Sequence, residues 1–391
     1  MITVDGCFGF FPVGQGLFYG GNISANGNPS FTFVYDCGAE KRWSTYLNNS
    51  INAFASFPKV FFGNNTLIRS LDLIVVSHLH ADHFSGIYNL IKIIGKPRKM
   101  LLPLISFDSF VREIVLYGVF SEKDDFADNQ DAISFFLEQY SNTVALSNEF
   151  AFDLEEPREH NEEIDSYVVV DEEISVPLTN YRSEEIWRFE FVRGSIGYKS
   201  TGVINTIKRD IQTLLAKEGY LTITDYVKDK GTQAFDELQK IYKRHGFASN
   251  YSSNNTSTIL FHYPVTYGKQ ALCLGFNSSY RLFDSFFTAT LLTGDSKITK
   301  KQTDILKDLI DDIEPCFLVT QLPHHGAKNN FQALTKHLWS YIINGVCVVS
   351  YGIGNSHGHP DKVVVHSFSM NQLVKVNEHQ GCFYRILLPS P

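Results

Sequence analysis

The stretch Leu73-Ile74-Val75-Val76-Ser77-His78-Leu79-His80-Ala81-Asp82-His83 decides how the rest of the chain is read. Four apolar, largely β-branched residues run straight into three histidines and an aspartate, so the polar groups fall where a buried strand leaves its sheet, at the carboxyl edge. In an extended segment the side chains at i and i+2 point the same way, which lets His78 and His80 grip one ion. The turn that follows brings Asp82 and His83 round to a second. Imidazole and carboxylate are the groups that Zn²⁺, Mn²⁺ or Fe prefer, and clustering them in one short run would be costly if they were buried unpaired. Next, Ser85 to Ile94 carries Ile87, Leu90, Ile91 and Ile94 at helical spacing and stops at Gly95. The local order is strand, loop, helix.

Outward from that unit, β-rich runs closed by turn residues occupy Gly6 to Val13, Phe31 to Tyr35 and Leu71 to Val76. The same texture resumes after Ser257. Strands are expected over Thr258 to Tyr263, Ala271 to Phe276, Thr288 to Thr293, Phe317 to Leu322 and Gly345 to Tyr351, with a helix over Lys300 to Ile313. Between the two β-rich parts the character changes. Residues 107–140 and 203–244 read as helices, and Glu149 to Glu173 hold eleven acidic side chains against the single Arg158, with a strand at Tyr167 to Val170 embedded there. The acidic stretch and the basic helices read as solvated faces, with a partner-binding device as the alternative. The chain is therefore divided into a first half (1–104) and a second half (251–391) of one layered α/β domain, separated by a mainly helical insertion (105–250).

With 391 residues, 43% hydrophobic and 19% charged, the chain is neither disordered nor fibrous. Its 6 cysteines are scattered singly, with no Cys-x-x-Cys pair, and read as reduced thiols. The net charge of −8 argues against non-specific attachment to a polyanion, so any nucleic-acid contact has to be local. The longest nearly apolar stretch, Tyr341 to Ile353, is interrupted by Asn344, two glycines and Ser350 and falls short of the roughly 20 residues that a membrane span needs. Asp5 and nearby glycines break the N-terminus where a signal peptide would place its apolar run. A soluble, cytoplasmic protein with no membrane association is the expectation.

The His-x-His-x-Asp-His run after an apolar strand resembles the signature of the metallo-β-lactamase superfamily. Further matches follow in order. Leu291-Leu292-Thr293-Gly294-Asp295 is similar to the superfamily's strand-end aspartate. Gln321-Leu322-Pro323-His324-His325-Gly326, then Ser350-Tyr351-Gly352 and Gly358-His359-Pro360, resemble the branch typified by ComEC-type DNA-uptake proteins and phosphorylcholine esterase. Val13-Gly14-Gln15-Gly16, Asp36-Cys37-Gly38 and Asn254-Asn255-Thr256-Ser257 are also similar to elements of that branch. The resemblance covers both flanking halves and not the insertion. It implies a four-layer αββα sandwich with a metal site at one edge.

It also implies a ligand set, namely His78, His80, Asp82, His83, Asp295, His325 and His359, holding two divalent ions, Zn²⁺ or Mn²⁺. Asp295 would bridge them, Asp82 would orient one ion and the nucleophile, and Asp82, Asp295 and His325 would be catalytic. Many members place another histidine ligand between the first motif and the aspartate. His160, His245 and His262 are the candidates here, whereas the branch draws its later ligands from the two downstream loops. Which of His324 and His325 touches metal is left open, and His357 reads as a ligand, an acid or an exposed residue. Lys328, Asn255, His324 and His357 are candidate substrate contacts. Lys297, Lys300 and Lys301 follow Asp295 and, with Lys328, would also lie near the metal edge; they read either as groups that neutralise a phosphate or as solvated helix ends.

Two divalent ions about 3.5 to 4 Å apart lower the pKa of a shared water and clamp a phosphoryl or tetrahedral transition state. No Gly-x-Ser-x-Gly elbow or P-loop offers a different chemistry. The function expected is a metal-dependent phosphodiesterase or nuclease, with nucleic acid or a nucleotide as substrate. The first alternative is hydrolysis of a carboxylic ester, lactone or thioester by the same site. The second is a non-catalytic protein that retains a metal core and binds a protein partner through the insertion. In an enzyme, the insertion is expected to border the metal cleft and limit which substrates enter.

Overall fold

The computed structural model describes residues 4–25, 28–57, 59, 67–78, 80–101, 168–177, 185–194, 201–221, 223–245, 257–265, 271–276, 279–284, 289–311, 317–369 and 372–388. The chain divides into two units. The first comprises residues 1–103, 168–194 and 254–391, and the second residues 104–167 and 195–253.

In the first unit, β1 (Val4–Phe10), β2 (Phe18–Ala25) and β3 (Asn28–Cys37) form an antiparallel meander. Beside it β4 (Leu73–Val75) and β5 (Lys99–Leu101) add in parallel. The crossovers contain α1 (Ser44–Phe54), then α2 (Ala81–Phe84) and α3 (Ile87–Ile94), the last lying where the Ile87/Leu90/Ile91/Ile94 stripe placed it. The strands β9 (Ala271–Phe276), β10 (Ser279–Asp284) and β15 (Cys382–Leu388) complete a sheet in the order β10-β9-β15-β1-β2-β3-β4-β5.

A second sheet runs β14-β13-β12-β11-β8-β7-β6, built from β6 (Val168–Pro177), β7 (Glu185–Gly194), β8 (Ile259–Pro264), β11 (Ala289–Leu292), β12 (Phe317–Gln321), β13 (Val346–Ser350) and β14 (Leu373–Val376). Its β11 to β14 are parallel neighbours. The two sheets pack face to face. Phe8 meets Trp187 at 5.3 Å between ring centroids and Phe33 meets Phe189 at 4.7 Å, inside one continuous core. On the outer side of the first sheet α1 sets Phe54 against Phe11 and Phe18. On the outer side of the second, α7 (Lys300–Asp311) and α8 (Lys328–Ile342) bury Leu306, Ile310, Leu334 and Leu338 with Phe261, Leu291 and Val349. The layers are therefore helix, sheet, sheet, helix.

Apart from shifts of one to three residues at the outer boundaries, the division of the chain differs from the sequence expectation inside the insertion. Val168–Pro177 and Glu185–Gly194 are not part of a helical insertion; they form β6 and β7 and extend the second sheet through the β7–β8 pairing. The cause is the period-2 pattern of β7, which puts Trp187, Phe189 and Phe191 into the core between the sheets. The register of β6 shifts between Asp171 and Ile174, so Glu172 and Glu173 fall at a bulge and not in the ladder. The helices expected over 107–140 and the acid-rich residues 149–167, with His160, lie outside the described residues.

In the second unit, α4 (Thr201–Glu218), α5 (Ile223–Lys230) and α6 (Thr232–Arg244) bury Ile207, Ile211 and Leu215 on one stripe and Ala234, Leu238 and Ile241 on another. His245 pairs there with Asp210 at 2.8 Å. Among the described residues no helix is long and apolar enough to cross a membrane.

Candidate metal centre

The site lies where parallel strands of both sheets end: β3 at Asp36, β4 before Ser77, β11 before Asp295, β12 before His325 and β13 at Ser350. Asp36 is fully buried, and its φ of 54° is a left-handed conformation that Asp tolerates better than most residues. Its carboxylate accepts from Ser77 N at 2.6 Å, from the Ser77 hydroxyl at 2.6 Å and from His83 Nδ1 at 2.8 Å. Burial pushes its carboxyl up, opposed by His83 and Ser77. Because the Ser77 proton goes to Asp36, the Ser77 oxygen accepts from His78 Nδ1 at 3.0 Å. One carboxylate thus sets the tautomer of two imidazoles and turns the Nε2 of each towards the cluster. The close crossing requires Gly38, where a Cβ would lie 2.5 Å from the His83 backbone.

His83 Nε2 then faces Asp295 Oδ1 at 3.1 Å, and these two buried atoms have no hydrogen-bond partner. His325 repeats the pattern. Its Nδ1 donates to the Ser350 carbonyl at 2.8 Å, so Nε2 turns a lone pair towards Asp82 Oδ2 at 2.9 Å. His78 Nε2 lies 3.0 Å from His80 Nδ1 and 3.8 Å from Asp295 Oδ2. The donor atoms form two groups, Asp82/His83/Asp295/His325 and His78/His80/Asp295, with the atoms of each within 4.8 Å of one another. Asp295 belongs to both.

Lone pairs that face one another in a buried site need a cation between them, either a proton or a metal ion. The proton solution is visible in the ionisation of the group. Burial drives the His78 and His80 imidazoles down. For His83 and His325 burial acts the same way, but the carboxylates of Asp295 and Asp82 outweigh it and hold both imidazoles up. Asp82 and Asp295 stay well below the usual carboxylate range despite burial, because of His83 together with His325 and His324. The metal solution uses the same atoms. Nitrogen and carboxylate donors with fixed tautomers suit Zn²⁺ or a similar ion, and this buried His/Asp group can hold one.

Six of the seven expected ligands are thereby brought together. His359 is not in either group. The 352–359 loop is closed on itself by Asn355, which donates to the carbonyls of Gly352 and His359 and accepts from the backbone of His357 and His359. The His359 ring stands 5.5 Å from the His324 ring and 6.1 Å from the His357 ring, and burial lowers its imidazole to about 4. Between the neighbouring histidines, His325 enters the first group. His324 Nε2 lies 3.8 Å from Asp295 Oδ2 on a side chain 33% exposed. His357 is exposed and bonds Glu40 at 2.9 Å. Lys328, Lys297, Lys300 and Lys301 are exposed, and Asn255 lies outside the described residues.

His262, a candidate ligand by order in the chain, sits in the core between the sheets. Trp187 Nε1 donates to its Nδ1 at 3.2 Å, and its Nε2 bonds Tyr19, which continues to Tyr384 and Thr290. Sequence reasoning assigned no role to Asp36, Ser77 or Gln321. Asp36 had a signal, an Asp-x-Gly turn closing a strand ahead of the histidine motif; Ser77 and Gln321 stood inside the quoted motifs with nothing local to set their role. Comparison with protein-family models, with curated proteins and with solved structures found no match.

Proposed function

We propose that the chain is a dinuclear metal-dependent hydrolase of the metallo-β-lactamase superfamily that acts on phosphodiesters, with nucleic acid or nucleotides as the substrate class. The observation that carries this reading is the pair of donor groups sharing Asp295, in which buried lone pairs converge while their tautomers are fixed from behind. When bound, two divalent ions, Zn²⁺ or Mn²⁺, supply an activated water and neutralise charge on the substrate. The chain's own part is positional. Asp36 holds His83 directly and His78 through Ser77, the Ser350 carbonyl holds His325, and Asp295 joins the two groups. The helix-sheet-sheet-helix layering and a site at the carboxyl ends of parallel strands support the αββα sandwich of that superfamily.

An anionic substrate is supported by the start of α8. Its first residue, Lys328, follows the His324–Gly326 turn after one residue, so the positive end of a 15-residue helix and an exposed ammonium adjoin the ligand loop. The deciding experiment strips the protein of metal, reloads it with Zn²⁺ or Mn²⁺, and assays bis(p-nitrophenyl) phosphate, single-stranded DNA and p-nitrophenyl acetate. Metal-dependent cleavage of the diesters is the expected result. Activity on the neutral ester alone would transfer the reading to carboxylic ester hydrolysis. Two bound ions with no activity on any of these would favour a binding protein with a metal core.

A further inference from the structure

The turn that presents Asp295 is held by a side chain that belongs to neither donor group. Gln321 ends β12 beside the end of β11 and is buried. Its Oε1 accepts from Thr293 N at 2.7 Å, Gly294 N at 2.8 Å and the Thr293 hydroxyl at 3.1 Å, while its Nε2 donates to Gly294 O at 3.1 Å and Leu322 O at 3.0 Å. These partners fix the amide orientation, since the reverse would set N–H against N–H and carbonyl against carbonyl. Gly294 O also accepts from His324 N at 3.1 Å, and Asn330 Nδ2 donates to Asp295 O at 2.9 Å. On the opposite side Gly294, with φ of 53°, is pressed so close to the histidine segment that a Cβ would lie 2.8 Å from Ser77 Cβ and 3.0 Å from the Tyr35 hydroxyl. The Asp295 turn is thus wedged between Ser77, which holds His78, and the amide of Gln321.

We infer that Gln321 is the positioning residue of the metal centre. Its amide sets the spacing between the Thr293–Asp295 turn and the Leu322–His325 turn, and so decides whether Asp295 serves both donor groups. This inference rests on the dinuclear reading above. Gln321→Glu keeps the shape of the side chain but places an acceptor oxygen against the carbonyls of Gly294 and Leu322, which forces the two turns apart. Gln321→Met keeps the volume and removes all five bonds without adding charge.

Wild type and both variants, freed of metal by chelation, are titrated with Co²⁺ alone and followed by calorimetry and by the d–d absorption of the bound ion. Wild type is expected to take up two equivalents. Each variant is expected to keep the far-ultraviolet circular dichroism of the metal-free wild type, to bind at least one equivalent about tenfold or more weakly, and to show altered d–d bands. Wild-type affinity and spectrum for both equivalents in either variant would overturn the inference. A folded wild type that binds no Co²⁺ would instead overturn the dinuclear reading itself. Should both variants fail to fold, the wild type still decides through the side-chain NH₂ resonances of Gln321, with Zn²⁺ as the diamagnetic probe. Slow solvent exchange and a shift with added Zn²⁺ are expected; fast exchange with no shift would overturn the inference.

Discussion

At the scale of single residues, the contrast between His262 and His83 shows how partners behind a ring decide its role. Both are fully buried. His262 has both nitrogens satisfied, and burial keeps it neutral, with its imidazole lowered to about 3. In the unfolded chain that group titrates near 6.5. Its contribution to stability is therefore complete above about pH 6.5 and is lost as the pH falls towards 3, at up to about 1.4 kcal/mol per unit. Urea unfolding of the metal-free protein should show His262→Phe losing up to about 2 kcal/mol less than wild type between pH 7 and pH 5; equal losses would contradict this. His83 has one nitrogen satisfied and one open, and the satisfied one faces Asp36. Asp36→Asn turns a donor towards Nδ1 and moves the proton to Nε2, so Zn²⁺ affinity should fall about 10- to 100-fold, read by competition with a chromogenic chelator. An unchanged affinity would remove Asp36 from the site.

At the scale of elements, the carboxyl ends of strands decide which motifs converge. His325 and His359 both follow a strand of the parallel run, β12 and β13, and in the sequence they look alike. The turn at His324–Gly326, left-handed at each of its three residues, points His325 inward against Ser350, whereas Asn355 closes the later loop around itself and leaves His359 outside the donor groups. His325→Ala should therefore weaken or abolish one bound ion, while His359→Ala should keep two, as counted by elemental analysis. The reverse outcome would restore His359 as a ligand. The histidine motif, the helix after it and most strands of both halves were legible because apolar spacing and polar clustering are local. The place of β6 and β7 was not, because acids dominate the neighbourhood and only pairing with β8, 65 or more residues away in sequence, makes 185–194 part of the sheet. Gln321 and Ser77 escaped for a similar reason: an amide or hydroxyl gains a role only from the turn it meets in space.

At the scale of the whole molecule, the centre joins the two sheets of the first unit, since the paired Asp82 and His325 are 243 positions apart. An ion bound there should act as a crosslink between parts that meet only in the folded chain. At free Zn²⁺ about 100 times the dissociation constant, the gain is about 2.7 kcal/mol. The thermal midpoint should rise accordingly, and more at pH 7.5 than at pH 6, because protons compete with the ion for His83 and His325, whose imidazoles the carboxylates hold up. A midpoint indifferent to Zn²⁺ would speak against a folded-state metal site. The most direct test is the number of ions in the purified chain and in Asp295→Asn, measured by elemental analysis after equilibration with Zn²⁺. Two ions in the wild type, with both weakened by loss of the shared carboxylate, is the result expected; no ion in a folded wild type, or two ions held equally tightly by Asp295→Asn, would contradict it.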